Sequence, residues 1–177
     1  MSYQSAVLTS FSSTDLSTGR QDLPSMRPEI SDLEAILDHT FADKQMLLSA
    51  ISTSTIASMM NSAVLSQGGE LLRPTESNAR LAFLGAKVLG LIITEKAITD
   101  GKSKAEMDGI IKEMASAEKL HTVGTTKELE KHLFRDPSQT TDSKKVMATA
   151  VEAIIGAAYL DGGMEAAKTI VSAFYEE

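Results

Sequence analysis

The sequence predicts an all-α fold of roughly seven to nine helices, on three observations. From Glu29 onward, apolar residues recur at the spacings of three and four positions that define one face of a helix. Residues that cap helices precede several of these apolar runs. No segment shows the sustained two-residue alternation that is typical of a half-buried strand.

The first predicted helices are short and amphipathic. In "SDLEAILDHTF", the cap Ser31/Asp32 precedes three apolar residues at i, i+3 and i+4: Leu33, Ile36 and Leu37. The segment "ADKQMLLSAI" repeats this pattern behind Asp43. Another amphipathic run covers about residues 55–66.

Longer helices follow the loop "QGGELLRPTES". One begins near Ser77 and Asn78 and continues through "NARLAFLGAKVLGLIITE" until "TDGKS" ends it. Two capping boxes, at Ser103-x-x-Glu106 and Thr125-x-x-Glu128, predict the next helix starts. A long apolar helix, "KKVMATAVEAIIGAAYL", ends at "DGG", and "MEAAKTIVSAFYEE" forms the last helix.

The 177 residues are expected to form one helical domain, residues 29–177, behind a flexible N-terminal arm, residues 1–28. The arm is rich in Ser and Thr, and Pro24 and Pro28 interrupt any helix in it. Because the chain has no cysteine, disulfides, thiolate metal sites and a cysteine nucleophile are excluded. The formal net charge of −7 does not suit non-specific binding of nucleic acid through overall charge.

No apolar run approaches the ~18–20 residues that span a membrane, so no membrane partner is expected. The N-terminus lacks the basic and apolar regions of a signal peptide. We therefore expect an intracellular protein, cytoplasmic or nuclear, with a mitochondrial location left open.

One predicted helix carries a row of small residues among bulky ones. Ala79, Ala82 and Ala86 stand at i, i+3 and i+7, so they share one face of the helix. In the later apolar helix, Thr149 and Glu152 stand on one face among apolar neighbours.

Glu152 needs an explanation, because a carboxylate buried alone costs several kcal/mol or stays protonated. One interpretation is a structural residue satisfied by Arg80, by Lys87 or by backbone amides. The other is a metal ligand.

Three segments together resemble the ribonuclease III family. "NARLAFLGAKVLGLIITE" is similar to the family's signature helix, N-E-R-L-E-F-L-G-D-x-x-L. "ATAVEAIIGAAYLDGG" is similar to its second motif, A-D-x-x-E-A-x-x-G-A-x-x-L-D-G-G. "LEAILDHTFADKQMLLSAIS" resembles its opening helices. The resemblance covers about residues 30–177, and the motifs keep their order.

The resemblance implies an all-α endonuclease domain that acts as a homodimer on double-stranded RNA. In this family a cluster of carboxylates holds Mg²⁺ ions, which activate a water and stabilise the leaving oxygen. Phe83 and Leu84 match positions of the dimer interface, although Phe83 equally suits an intramolecular core.

Most of the carboxylates that the resemblance implies are absent from this chain. The two Glu and the Asp of the signature fall on Ala79, Ala82 and Ala86, and the Asp of the second motif falls on Thr149. Of the positions that ligate metal in the family (82, 86, 149 and 152), only Glu152 keeps a carboxylate. We therefore expect no intact catalytic set, with Glu152 as a vestigial metal residue.

The expected function is that of a catalytically inactive ribonuclease III-like protein without a cofactor. It would act as a dimeric scaffold or partner in RNA processing or in a ribonucleoprotein, with double-stranded RNA or an RNA-processing protein as further partners. The alternative is an active double-stranded-RNA endoribonuclease with a rearranged Mg²⁺ site. That site would need another acid, such as Glu70, Glu76 or Glu95. A third hypothesis is a heterodimer partner that lends its RNA surface to an active subunit.

The remaining polar residues leave two interpretations open. Scattered lysines form either an RNA-facing patch or an ordinary solvated surface: Lys102, Lys104, Lys112, Lys144 and Lys145. The histidines have no spacing typical of metal ligands and are expected in the core or on the surface: His39, His121 and His132.

Overall fold

The computed structural model describes residues 30–66, 68, 76–134 and 143–176. Within these ranges the chain forms seven α-helices and no strand, which confirms the predicted all-α fold. The helices are α1 (Ile30–Leu37), α2 (Lys44–Ala50), α3 (Ser54–Ser66), α4 (Ala79–Thr99), α5 (Lys104–Met114), α6 (Ala117–Thr126) and α7 (Ser143–Tyr175). A short 3-10 helix, Leu129–Lys131, precedes α7. The predicted arm, residues 1–28, lies outside the described residues.

Two of the predicted caps start helices as expected. The Asp43 carboxylate accepts a hydrogen bond from the amide of Gln45 at 3.0 Å, where α2 begins. Ser103 and Glu106 form the predicted capping box of α5, in which the Glu106 carboxylate accepts the amide of Ser103 at 2.8 Å. Each bond satisfies an amide that the first turn of a helix leaves without a partner.

The capping box predicted at Thr125 and Glu128 is wrong. The Ser116 hydroxyl accepts a hydrogen bond from the amide of Lys119 at 3.2 Å, so α6 begins earlier and already contains Thr125. Glu128 follows the end of α6 with a left-handed φ of 53°, and its carboxylate accepts a hydrogen bond from Lys131.

The predicted break at "DGG" divides α7 into two helical segments. Gly163 has a φ of 71°, a left-handed conformation that favours glycine. Beside the break, the Asp161 carboxylate accepts hydrogen bonds from the backbone amides of Ala42 and Asp43, each at 3.0 Å. It also lies 3.2 Å from Nε2 of His39. These bonds attach the bend in α7 to the connection between α1 and α2.

The core forms around α7, which contacts α1, α2, α4 and α6. Every residue from 153 to 158 is buried. α4 adds Val88 and Leu89 from one face of its helix, and the shorter helices supply the remaining apolar side chains, among them Leu33, Leu37, Leu47 and Leu120. Each such side chain contributes about 1.5–3 kcal/mol when it is fully buried.

By length and composition, α7 is the one helix among the described residues that could cross a membrane. However, 56% of its most apolar window is buried inside the protein. The glycine break at Gly163 also falls within the helix. The apolar character of α7 is therefore explained by its central place in the core.

Candidate functional site at the crossing of α4 and α7

α4 and α7 cross with their backbones in direct contact. A Cβ atom added to Gly85 would overlap the carbonyl oxygen of Glu152, and one added to Gly156 would overlap the carbonyl oxygen of Leu81. Only glycine allows backbones to approach this closely, so the two glycines fix the crossing point. These contacts run in opposite directions along the two helices, so α4 and α7 are antiparallel where residues 81–85 meet residues 152–156.

The positions where the resemblance implies carboxylates lie around this crossing. Ala82 is buried, and Ala86 is half-buried one residue beyond the Gly85 contact. Thr149 and Glu152 are both half-buried on the facing helix, whereas Ala79 is exposed near the start of α4. The three alanines therefore differ in exposure, since Ala79 is exposed, Ala86 is half-buried and Ala82 is buried. They do not form a uniformly buried packing stripe.

Glu152 is the one carboxylate of this set, and its environment disfavours the charged form. Burial raises the pKa of Glu152 above its ordinary value of 4.5. Within the described part of the chain, no group donates a hydrogen bond to its carboxylate or forms an ion pair with it.

The two cations expected to satisfy Glu152 have other contacts. Arg80 Nη1 lies 2.9 Å from the carboxylate of Glu76, one turn earlier on the surface. Lys87 Nζ lies 5.5 Å from the centre of the Phe83 ring. The structural interpretation of Glu152, as a carboxylate neutralised by these side chains, is therefore not what the structure shows.

The residues at the crossing do not fit the Mg²⁺ ions that the resemblance implies. Mg²⁺ takes oxygen ligands, and the methyl groups of Ala82 and Ala86 supply none. Thr149 offers one neutral hydroxyl beside the single carboxylate of Glu152. Over the described ranges, no cluster of three or more His, Asp or Glu side chains is arranged to hold a metal ion.

The acids considered as replacements lie elsewhere. Glu76 pairs with Arg80, and Glu95 pairs with Lys168 at 2.9 Å on the outer surface. Glu70 lies outside the described residues.

Phe83 points away from the core. Its side chain is 72% exposed on α4, so Phe83 is not part of an intramolecular core. Its neighbour Leu84 is partly buried against the core. Of the two residues expected at a dimer interface, Phe83 is thus the one that is free for a partner.

The candidate RNA-facing lysines are largely occupied by acids of the same chain. Lys102 lies 4.0 Å from Glu106, and Lys104 lies 2.9 Å from Asp108, both one turn away. Lys144 bonds both carboxylate oxygens of Glu118 at 2.9 Å. Exposed ion pairs of this kind add little to the free energy of unfolding. Each acid does, however, offset the positive charge of the lysine that it contacts.

Sequence reasoning missed the role of Tyr175 beside this site. Its hydroxyl donates to the carbonyl oxygen of Met114 at 2.6 Å. Burial, with a smaller contribution from the charge of Glu152, raises the pKa of Tyr175 to about 12. Because the break at Gly163 returns the last segment of α7 toward the first, no local pattern could have indicated this proximity.

Comparisons with known proteins agree with these motifs. A family model described as Ribonuclease-III-like matches residues 66–177. Ribonuclease 3 of Solibacter usitatus is 30% identical over 153 residues, which are 83% of this chain and 55% of that protein. Ribonuclease 3 of Azorhizobium caulinodans is 29% identical over 153 residues, which are 83% of this chain and 60% of that protein. The chain thus spans a little over half the length of these relatives.

A solved structure shares the fold. It is the nuclease domain of ribonuclease III from Campylobacter jejuni, described for structural flexibility in the region involved in dimer formation. The two superpose with a TM-score of 0.67 at 23% identity, covering 84% of this chain and 96% of that chain.

Proposed function

The chain belongs to the ribonuclease III-like family, and we propose that it is a catalytically inactive member of that family. In this proposal it acts as a dimeric scaffold or partner in RNA processing or in a ribonucleoprotein. The observation that carries the proposal is the presence of methyl groups at Ala82 and Ala86, where the family resemblance implies metal-ligating carboxylates.

The chemistry of phosphate-ester hydrolysis explains why these two positions matter. In a metal-dependent nuclease, the ions generate the attacking hydroxide and stabilise the charge on the leaving oxygen. Each missing carboxylate removes a ligand and also a negative charge that would hold the cation beside a phosphate. Glu152 with the hydroxyl of Thr149 leaves one charge where the family cluster has four acidic positions.

The preserved backbone supports a role in binding. Gly85 and Gly156 keep α4 against α7, and Asp161 with Gly163 sets the bend of α7. The carboxylates that the resemblance implies are missing from α4 and α7, while the glycines and the aspartate that shape the two helices are present. A domain that folds without its ligand set is suited to the role of a scaffold or partner.

The exposed ring of Phe83 supports self-association. A large aromatic side chain that is 72% exposed is costly in water and is a typical anchor of an interface. The resemblance places Phe83 and Leu84 at a dimer interface, and we propose that this chain uses Phe83 in the same way.

The proposal is tested by incubating the chain with long double-stranded RNA over a titration of Mg²⁺ and of Mn²⁺. An active double-stranded-RNA endonuclease serves as the positive control, and the Glu152→Gln variant as the matched negative control. We expect the two forms of this chain to give the same background of RNA breakage. Metal-dependent products that disappear in Glu152→Gln would establish the alternative, an active endoribonuclease with a rearranged site.

Two binding measurements separate the remaining roles. Sedimentation over a range of protein concentrations is expected to show a dimer. A gel shift with double-stranded RNA, repeated at several salt concentrations, tests for phosphate contacts, because those contacts weaken steeply with salt. A monomer at every concentration would contradict the dimeric scaffold.

A further inference from the structure

We propose that Glu152 and Thr149 bind one primary alkylammonium group at the crossing of α4 and α7. Such a group is carried by a lysine side chain of a partner protein or by a free polyamine. The inference rests on the inactive role proposed above and adds a class of ligand for the same site. It follows from the mismatch between the residues at the crossing and a divalent metal ion.

Glu152 is a carboxylate that a ligand can reach from solvent. Its side chain is half-buried, so part of it stays accessible. Among the described residues, none donates a hydrogen bond to this carboxylate or forms an ion pair with it. A partly desolvated negative charge without a partner is unfavourable, and a cation bound beside it would lower its free energy. The site therefore favours a positively charged ligand.

The charge and the number of acceptors at the site match an ammonium group. Thr149 stands three residues before Glu152, so both lie on one face of α7, about 4.5 Å apart along its axis. Together they offer three oxygen acceptors and a single negative charge. A primary alkylammonium group carries one positive charge and three N–H donors. Mg²⁺ carries two charges and requires near-octahedral oxygen ligands, which this pair does not supply.

The facing helix offers apolar surface for the alkyl part of the ligand. Gly85 of α4 packs against the carbonyl oxygen of Glu152. Ala86 follows this glycine and is half-buried, and Ala82 lies about one turn earlier and is buried. A metal ion gains no ligand from a methyl group, whereas the carbon chain of a lysine or a polyamine packs against apolar surface. These alanines therefore favour an alkylammonium ligand over an inorganic cation.

Two cations on the helices that form the site are paired with other acids. Arg80 Nη1 of α4 lies 2.9 Å from the carboxylate of Glu76. Lys144, near the start of α7, bonds both carboxylate oxygens of Glu118 at 2.9 Å. Neither side chain neutralises the carboxylate at the crossing, which is left for a cation from outside the described chain.

Three further lysines around the site are exposed. Lys87 Nζ lies 5.5 Å from the centre of the Phe83 ring, and Lys119 Nζ lies 5.9 Å from the centre of the Tyr175 ring. Lys145 stands two turns before the carboxylate on the same face of α7, about 10 Å away along the axis. Salt screens exposed charges over about 8 Å at physiological ionic strength, whereas a bound ammonium group contacts the carboxylate directly. The lysines therefore oppose the extra charges of a polyamine more than the single charge of a lysine side chain.

The test is an NMR titration of the chain labelled with ¹³C at its alanine methyl groups. Ala82 and Ala86 report on the site, and their signals are assigned with Ala82→Ser and Ala86→Ser. N-acetyl-lysine amide is the probe for a lysine side chain, and spermidine is the probe for a free polyamine. We expect both probes to shift the Ala86 signal until it saturates, with the lysine probe binding more tightly. Tighter binding of spermidine would support the site and assign the polyamine as its ligand.

Three variants show whether the named residues bind the probes. Glu152→Gln is expected to weaken binding about tenfold or more, because a hydrogen bond to a charged acceptor is lost. Thr149→Val keeps the shape of the side chain without its hydroxyl and is expected to weaken binding about two- to tenfold. Glu130→Gln, at an exposed residue, removes the same charge and should change nothing. The alanine methyl spectrum also reports whether each variant is folded.

The outcomes separate this site from the proposed inactive role. Equal weakening by Glu130→Gln and Glu152→Gln would show attraction to the net charge of −7 alone and would overturn the site. No saturable shift with either probe, or tighter binding of Mg²⁺ than of both probes without cleavage of RNA, would also overturn it and leave the inactive role standing. Mg²⁺ binding that requires Glu152, together with metal-dependent cleavage of double-stranded RNA, would overturn both.

Discussion

Gly85 packs directly against the carbonyl oxygen of Glu152, so the single carboxylate of the site is positioned by the contact of two backbones. Gly156 likewise packs against the carbonyl oxygen of Leu81, so two backbone contacts hold α4 and α7 at this separation. Neither contact uses the side chains at positions 82, 86 and 149. In the proposed inactive role, the fold is therefore kept although methyl and hydroxyl groups stand where the resemblance implies metal ligands.

Gly85→Ala is expected to destabilise the protein strongly. The added methyl group overlaps backbone atoms of α7, which cannot rotate away as a side chain can. Overpacking of a core typically costs about 1–3 kcal/mol in the free energy of unfolding, and a backbone clash lies at the upper end. Gly109→Ala in α5 is the matched control, because nothing lies within 4 Å of an added Cβ there. We expect that variant to gain about 0.5–1 kcal/mol in urea denaturation. Equal stability of the two variants would contradict the proposed crossing.

Glu152→Gln is expected to stabilise the protein at neutral pH. Because burial raises the pKa of Glu152 in the folded state above 4.5, the folded protein binds a proton more tightly than the unfolded chain. The contribution of Glu152 to the free energy of unfolding is therefore fully present below pH 4.5 and is lost as pH rises through its folded pKa. The Gln variant lacks this loss, so the difference between the two unfolding curves should grow with pH and then level off. Exposed Glu113→Gln serves as the control, and a similar gain there would argue against burial as the cause.

Asp161 should show the opposite dependence on pH. Burial by itself raises its pKa, but hydrogen bonds from the amides of Asp43 and Ala42 and from His39 outweigh it and hold the pKa below 3.8. Its contribution to stability is therefore present above pH 3.8 and is lost as pH falls through the folded pKa. Asp161→Asn at pH 7 is expected to cost about 1–3 kcal/mol, since it leaves the amides of Ala42 and Asp43 without a charged acceptor. Unfolding by urea measures this cost, with Asp108→Asn as the control, which loses only an exposed ion pair with Lys104.

Restoring the carboxylates should restore cation binding. The triple substitution Ala82→Glu, Ala86→Asp and Thr149→Asp rebuilds, with Glu152, the ligand set that the resemblance implies. Without metal we expect a lower melting temperature, because like charges then crowd the crossing. Mn²⁺ at about 100 times its dissociation constant should add about 2.7 kcal/mol of stability. The same variant carrying Glu152→Gln is the control. If Mn²⁺ does not raise the melting temperature of the triple variant, the four positions do not form one site.

Phe83→Glu is expected to weaken self-association without unfolding the chain. The side chain is exposed, so the charge costs little in the monomer but must be desolvated in an interface. Loss of an aromatic anchor typically costs about 2 kcal/mol or more, which corresponds to at least about a thirtyfold rise in the dimer dissociation constant. Leu160→Glu, at a residue that is 54% exposed on α7, is the matched control in sedimentation. Equal effects of both substitutions on the dimer dissociation constant would contradict the assignment of Phe83 as an anchor of the dimer interface.

Several features of this protein could be predicted from local patterns. The spacing of apolar residues predicts helices because burying one face stabilises a helix whatever its partner is. Ser103 with Glu106 predicts the start of α5, since the cap acts over three residues. The same reasoning failed at Thr125 and Glu128, where Ser116 starts α6 earlier and Glu128 falls beyond its end. A four-residue pattern carries no information on where an earlier helix begins, so it cannot show that Thr125 already lies inside α6.

The sequence by itself determined the helical class, the break at Gly163 and the absence of carboxylates from positions 79, 82, 86 and 149. Only the tertiary structure decided what surrounds these positions. Among the described residues Glu152 has no counter-ion, and Arg80 pairs with Glu76 instead. Phe83 is exposed, and the last turn of α7 lies near Glu152. The physical reason is that helices form through contacts over three or four residues. Burial, charge pairing and exposure depend on which helices meet, and here a contact between two glycines 71 positions apart sets that meeting.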